Sequence, residues 1–280
     1  MRQMSLICMT FVGAIGGLLR GTRAHKYATL VHDSAVRAYL RSNPRCFVES
    51  GGARAVFTPT NVVEWGNLNY RIWEEDCLLR HLLSQVRPDD VFFDIGANIG
   101  IYSCLVGSRL TDGTVVPFEP YPPNADRLEA NLEANGIEAE VIRSPLSDCR
   151  RAAEFNVYDT ADSGAQHGSL DTIYPRGTPL KRIPTETTSG DTLVENGLAP
   201  PPTVAKVDVQ GAGVDVLTGL RKSLTADRCR LVYVETHNNY EQITDLLQRL
   251  GFSTHSFRLS REQGQPAIVG YDDDVVDFFE

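Results

Sequence analysis

From Pro88 onward the chain repeats one pattern: a short apolar, β-rich run, a turn carrying glycine or asparagine, then a helical segment with one polar face. That alternation marks βαβ units and restricts the chain to a largely parallel sheet covered by helices. The apolar runs predict strands at residues 91–95, 114–119, 138–143, 203–209, 230–235 and 252–257. Helices are expected between them, at about 99–109, 123–135, 212–220 and 240–250. Asp112-Gly113, Asn135-Gly136 and Gly251 supply the expected stops. One departure breaks the rhythm. Residues 154–158 (EFNVY) and 180–187 read as extra strands around a polar, glycine-containing stretch at 159–177. Residues 150–187 are therefore expected as an insertion between the third and fourth core strands, of the kind that forms lids or variable surface.

Residues 1–86 form an N-terminal extension to this α/β domain, which occupies 87–280. Helical spacing predicts a helix at 27–40, closed by Ser42-Asn43-Pro44. Gly51-Gly52 between apolar runs predicts a small β element or hairpin within 46–70, and a second helix is expected at 73–85. Residues 4–19 are mostly apolar and flanked by Arg2, Arg20, Arg23 and Lys26. The run falls short of the roughly 20 residues that span a bilayer. It reads as a packed or mobile segment, with weak membrane-surface association as the second reading. The six cysteines show no metal-ligand spacing and fit reduced thiols in a cytoplasmic setting. A net charge of −9 argues against nucleic acid as a partner, because binding a phosphate backbone needs clustered cations.

The most informative segment is V-F-F-Asp94-I-Gly96-A-Asn98-I-Gly100, an apolar strand ending in a carboxylate, then a glycine turn opening a helix. In open α/β sheets ligands bind outside the carboxyl ends of the strands, which is where this turn lies. Glycines let a ligand approach the backbone closely. The spacing G-x-x-x-G differs from the G-x-G-x-x-G that cradles a dinucleotide pyrophosphate, so a nucleoside cofactor without pyrophosphate fits better. The second strand ends in Glu119, placed to accept hydrogen bonds from ribose hydroxyls, a feature of both NAD and S-adenosylmethionine sites. Asp94 is placed to hold an ammonium group directly or through water.

The segments VFFDIGANIGIYS, PFEPYPPNADRLEANLEANG, SPLSD, AKVDVQGAG and VYVETH, in this order and spacing, resemble the FkbM family of S-adenosylmethionine-dependent methyltransferases across about residues 90–257. The resemblance implies a Rossmann-like class I methyltransferase fold and S-adenosyl-L-methionine as methyl donor. It also implies O-methylation of a hydroxyl on a sugar, glycolipid or polyketide-like acceptor. By that resemblance Asp94, Gly96, Asn98 and Gly100 line the methionine half of the cofactor, Glu119 binds the ribose, Ser147 and Asp148 lie near the adenine, and Asp208 faces the reacting methyl. Where the family carries D-V-E-G-A-E after the fourth strand, this chain has Asp208-Val209-Gln210-Gly211-Ala212-Gly213. Two carboxylates are missing, which opens the alternative of a catalytically impaired cofactor-binding protein.

An alcohol acceptor must lose a proton during transfer, and the candidate bases are Asp208, Glu235 and His237. This reading needs no metal. An alternative has Asp208 and Glu235, with His237 or Asn238, holding a divalent ion that acidifies the hydroxyl. An NAD-dependent oxidoreductase remains as a further alternative, although neither the dinucleotide turn nor a Tyr-x-x-x-Lys pair is present in the later half.

Overall fold

A computed structural model describes residues 23–42, 44–71, 75–171, 178–226, 229–258 and 266–272. The apolar run at 4–19 lies outside them, as do Trp73 and residues 172–177. Among the described residues no helix is long and apolar enough to cross a membrane.

The core is a six-stranded sheet flanked by helices. Four strands run parallel: β3 (Val91–Ile95), β4 (Thr114–Phe118), β8 (Val204–Val207) and β9 (Leu231–Glu235). At one side β11 (Pro266–Tyr271) lies antiparallel between β9 and β10 (Ser253–Arg258), giving the order β10-β11-β9-β8-β3-β4. The helices α4 (Ile101–Gly107), α5 (Pro122–Ala134), α6 (Gly190–Glu195), α7 (Gly213–Gly219), α8 (Arg221–Thr225) and α9 (Tyr240–Arg249) cover it. Period-two alternation sorts the strand residues between two cores. Phe92, Val204, Leu231 and Tyr233 pack on one face with Leu105 of α4 and Leu128 of α5. Phe93, Ala205, Val232 and Val234 pack on the other with Leu217 of α7 and Ile243 of α9.

The N-terminal extension joins the first of these cores. It comprises α1 (Arg23–Leu40), the hairpin β1 (Cys46–Ser50) and β2 (Ala53–Phe57), the short helix α2 (Val62–Gly66) followed by a π-helical turn (Asn67–Arg71), and α3 (Asp76–Gln85). Phe57 and Leu82 are buried against the sheet helices. The Asn135 side chain receives the Val56 N–H at 2.7 Å and donates to the Val56 carbonyl at 2.8 Å, fastening the hairpin to the end of α5. The insertion is a separate three-stranded antiparallel sheet with β5 (Ala152–Val157) between β6 (Gly168–Leu170) and β7 (Lys181–Glu186).

The expected strand at 138–143 is reduced to one parallel bridge, Phe118 to Ile142, at the sheet edge. Arg143 beside it turns to Asp126 and Glu129 of α5, at 2.7 and 2.9 Å. Residues 62–66, grouped with the β element from their apolar run, are helical. The Asn61 side chain accepts the N–H groups of Val63 and Glu64 at 2.8 and 2.9 Å, a cap that periodicity over so short a segment does not show. Strand β11 follows a polar stretch and was not anticipated.

Candidate active site

The carboxyl ends of β3, β4, β8 and β9 open onto one cavity, walled on the other side by β5, β6 and residues 165–170 of the insertion. The first wall is the turn after β3. Gly96 has φ +82, and a Cβ there would stand 2.0 Å from the Asp208 carbonyl oxygen, so only glycine lets the turn press against the end of β8. The N–H groups of Gly96 and Ala97 both donate to the Phe118 carbonyl at 3.0 Å, and that of Asp208 donates to the Ile95 carbonyl at 2.9 Å. Three strand ends are thus locked together. Gly100, at φ +85, caps α4, and its missing Cβ leaves room for Leu128.

Glu119 projects from the end of β4 into the cavity and is buried. Its carboxylate accepts the Asn98 and Tyr121 N–H groups, both at 2.8 Å. Burial nevertheless pushes its pKa up to about 7. Those two amides and the Asn124 side chain oppose the rise, and the charge of Asp94 adds to it.

Asp208 and Glu235, following β8 and closing β9, line the same cavity. His237 Nε2 lies 3.4 Å from Asp208 Oδ1. One ligand-type atom from each of Asp208, Glu235 and His237 falls within 4.8 Å of the others, the spacing of a metal site. Lys206 is also there: its Nζ sits 3.4 Å from Asp208 Oδ2 and 3.3 Å from Glu235 Oε1.

Of the residues singled out from sequence, Gly96, Asn98, Glu119, Asp208 and Glu235 line the cavity, and His237 stands against Asp208. Asp94 lies behind the turn, where its Oδ2 accepts the Ser103 hydroxyl at 2.6 Å and so ties β3 to α4. Ser147 is buried and Asp148 exposed outside the cavity lining, while their neighbours Pro145 and Leu146 form part of its apolar wall. Asn238 is exposed, with φ +66.

Sequence reasoning passed over Lys206, Glu75 and Asn124, and placed residues 163–166 only within an insertion expected as a lid or variable surface. A lysine between Ala205 and Val207 in a wholly buried strand was the available signal for the first. Glu75 and Asn124 had none, because their partners are remote in sequence, and the same distance hides which residues 163–166 meet. Asn98 and Asn124 donate to the Ala165 carbonyl at 2.7 and 3.0 Å, and Asn124 accepts the Gly164 N–H at 2.7 Å. From the N-terminal extension Asn67 donates to the Gly164 carbonyl at 2.9 Å, and Glu64 accepts the Ser163 hydroxyl. Glu64, buried beside Arg127 at 3.2 Å, is itself held by the Thr60 N–H at 2.7 Å. The insertion is therefore clamped over the cavity by both the extension and the glycine turn.

Residues 94–258 match the family of the methyltransferase FkbM domain. The chain belongs to this family. It is an S-adenosylmethionine-dependent methyltransferase, which sets aside the dinucleotide alternative. The hexuronic acid methyltransferase AglP of Haloferax volcanii is 31% identical over 215 residues, covering 77% of this chain and 84% of that one. The 31-O-demethyl-FK506 methyltransferase FkbM of Streptomyces tacrolimicus is 27% identical over 240 residues, covering 77% and 90%. Among solved structures, a methyltransferase FkbM from Methylobacillus flagellatus matches at TM-score 0.48 and 13% identity, over 67% of this chain and 45% of that one.

The cavity's chemistry fits such a cofactor. Glu75, Glu119, Asp208 and Glu235 line it, and no lysine or arginine does among the described residues. Carboxylates favour a ligand carrying sulfonium and ammonium charges and disfavour a pyrophosphate.

Proposed function

We propose that this enzyme methylates an oxygen of a sugar or polyketide-like acceptor, with His237 as the base and Asp208 as the group that orients it. The observation that carries this reading is the His237–Asp208 contact of 3.4 Å at the strand ends beside Gly96. A histidine ring nitrogen is able to take a proton, and a carboxylate at the other edge of the ring fixes its orientation and favours the charged form that results. The two relatives above act on a hexuronic acid and on 31-O-demethyl-FK506, acceptors with oxygen nucleophiles, which supports the same acceptor class here.

In this reading Gly96 and Asn98 offer backbone to the methionine half of the cofactor, with Gly100 shaping the turn and Asp94 bracing it through Ser103. Glu119 accepts the ribose hydroxyls. Leu146 and Pro145 flank the adenine, with Ser147 and Asp148 behind them. When bound, S-adenosylmethionine supplies an electrophilic methyl for in-line displacement. The protein's own part is alignment of the acceptor oxygen, worth ~7 kcal/mol or more in well-oriented systems, and removal of its proton. Gln210, in place of the family's usual carboxylate, lines the same cavity. It keeps hydrogen-bonding capacity, so this reading gives the proton to His237 rather than to position 210.

Methyl-labelled cofactor with a panel of a free hexuronic acid, a neutral glycoside and a macrocyclic polyol tests the proposal. Label is expected on oxygen of one acceptor class, and alkaline lability separates an ester from an ether. His237→Ala is expected to lower kcat by about 10²–10⁴ with cofactor affinity unchanged. Unaltered turnover in that variant would remove His237 as the base, and label on nitrogen or carbon would overturn O-methylation.

A further inference from the structure

The acceptor-side cluster poses an electrostatic question. Asp208, Glu235 and His237 have the spacing of a three-ligand metal site. Yet the two carboxylates already share a cation. Lys206 is 2% exposed in the middle of β8, and its Nζ lies 3.4 Å from Asp208 and 3.3 Å from Glu235. The same ammonium sits 4.3 Å from the centre of the Tyr102 ring. Tyr102 in turn donates its hydroxyl to Glu75 at 2.9 Å, linking the ammonium's aromatic seat to the N-terminal extension.

An isolated buried ammonium is costly, and so are two facing buried carboxylates. Each stands only if the other is present. An aromatic face adds a third favourable contact without competing for the carboxylate oxygens. A divalent ion bound by the same carboxylates would lie within a few ångströms of Lys206 Nζ and be repelled by it, in a site too buried for solvent to screen that repulsion.

We propose that Lys206 is the resident counter-ion of this cluster and a positioning residue for methyl transfer, taking the place that a divalent metal would hold between Asp208 and Glu235. The inference rests on the reading of Asp208, Glu235 and His237 as the acceptor-side machinery. It adds that Lys206 holds the two carboxylates at a fixed separation, so that Asp208, which lines the cavity, stays facing His237. On this account the enzyme runs without an added metal because its cation is built into the strand.

Manganese(II) is the probe, applied to the full chain. The wild-type protein is expected to leave the free Mn²⁺ electron paramagnetic resonance signal unattenuated at millimolar metal and to show no Mn²⁺-dependent rise in Tm. Lys206→Met, which keeps the bulk and removes the charge, is expected to bind Mn²⁺ at least about tenfold more tightly than wild type and to gain Tm on its addition. Adding Asp208→Asn to that variant is expected to abolish the gain. Lys206→Arg retains the charge and is expected to go on excluding Mn²⁺, which keeps the proposal testable if the methionine variant fails to fold. One Mn²⁺ bound per wild-type chain and lost in Asp208→Asn would overturn the proposal. So would a folded Lys206→Met that binds S-adenosylmethionine normally but gains no affinity for Mn²⁺. Unaltered turnover in His237→Ala would instead sink the reading on which the proposal rests, so the two failures are distinguishable.

Discussion

At pH 8 replacing Glu119 with glutamine is expected to stabilise the ligand-free protein, although the change removes a charge that two backbone amides hold. Burial raises the native pKa of Glu119 to about 7, against about 4.5 for an ordinary glutamate. Between those values the folded state binds a proton that the unfolded chain does not. Stability from this group is therefore fully present below about pH 4.5 and is lost as pH rises through about 7. The gap corresponds to about 3 kcal/mol at pH 8. Glutamine escapes that penalty. Its single carbonyl oxygen, however, replaces two carboxylate oxygens that accept from Asn98 and Tyr121, a loss of about 1–2 kcal/mol. The variant is thus expected to be more stable than wild type by about 1–2 kcal/mol at pH 8, an advantage that disappears by pH 5, where the wild-type side chain is itself a neutral carboxyl with one carbonyl oxygen. Thermal unfolding of both proteins across that range tests this, since other titrating groups cancel in the difference. For a chain of this size the swing is roughly 2–6 °C in Tm. Affinity for S-adenosylmethionine should move the opposite way. Ribose hydroxyls donate to the ionised carboxylate, so wild-type binding strengthens as pH rises toward 8, while Glu119→Gln binds weakly throughout with little of that dependence. A Tm difference that stays flat with pH would refute the argument. It would mean that Glu119 is not desolvated in solution as its burial indicates.

Gly96→Ala is expected to abolish cofactor binding, because a Cβ at that site would stand 2.0 Å from the Asp208 carbonyl and the residue is held at φ +82. The turn must then part from β8, and calorimetric titration with S-adenosylmethionine reads the loss. Asn67→Ala removes a donor to the Gly164 carbonyl and an acceptor of the Gln166 amide, both on the insertion. Protease nicking within 159–171 is expected to accelerate while the global Tm falls by only a few degrees, a local opening rather than unfolding. If cleavage there is unchanged, the clamp contributes little.

The alternation of apolar runs and helical segments was enough to place β3, β4, β8 and β9 and their connecting helices, because burial on both faces of a parallel sheet imposes continuous apolar strands of that length. The glycine turn was equally readable, since Gly96 and Gly100 adopt backbone conformations that other residues rarely take. Glu119, Asp208 and Glu235 followed from their positions at strand ends, a property of sequence order alone. The edge strand at 138–143 was over-read, because alternation does not register that Arg143 would be drawn to α5. Strand β11 was missed because its place between β9 and β10 depends on a reversal that apolarity does not encode.

What only the tertiary structure decided is which charges face one another. Lys206 lies between Asp208 and Glu235 because β8 and β9 are adjacent and in register, with Lys206 opposite Tyr233. Glu75, Asn67 and Glu64 reach the site from the N-terminal extension, and residues 163–166 meet Asn98 and Asn124 from an insertion some 40 to 67 positions away in sequence. Periodicity reports what each element buries. It carries no term for the hydrogen bonds and ion pairs formed when distant segments close on one cavity, and in this protein those contacts make the site.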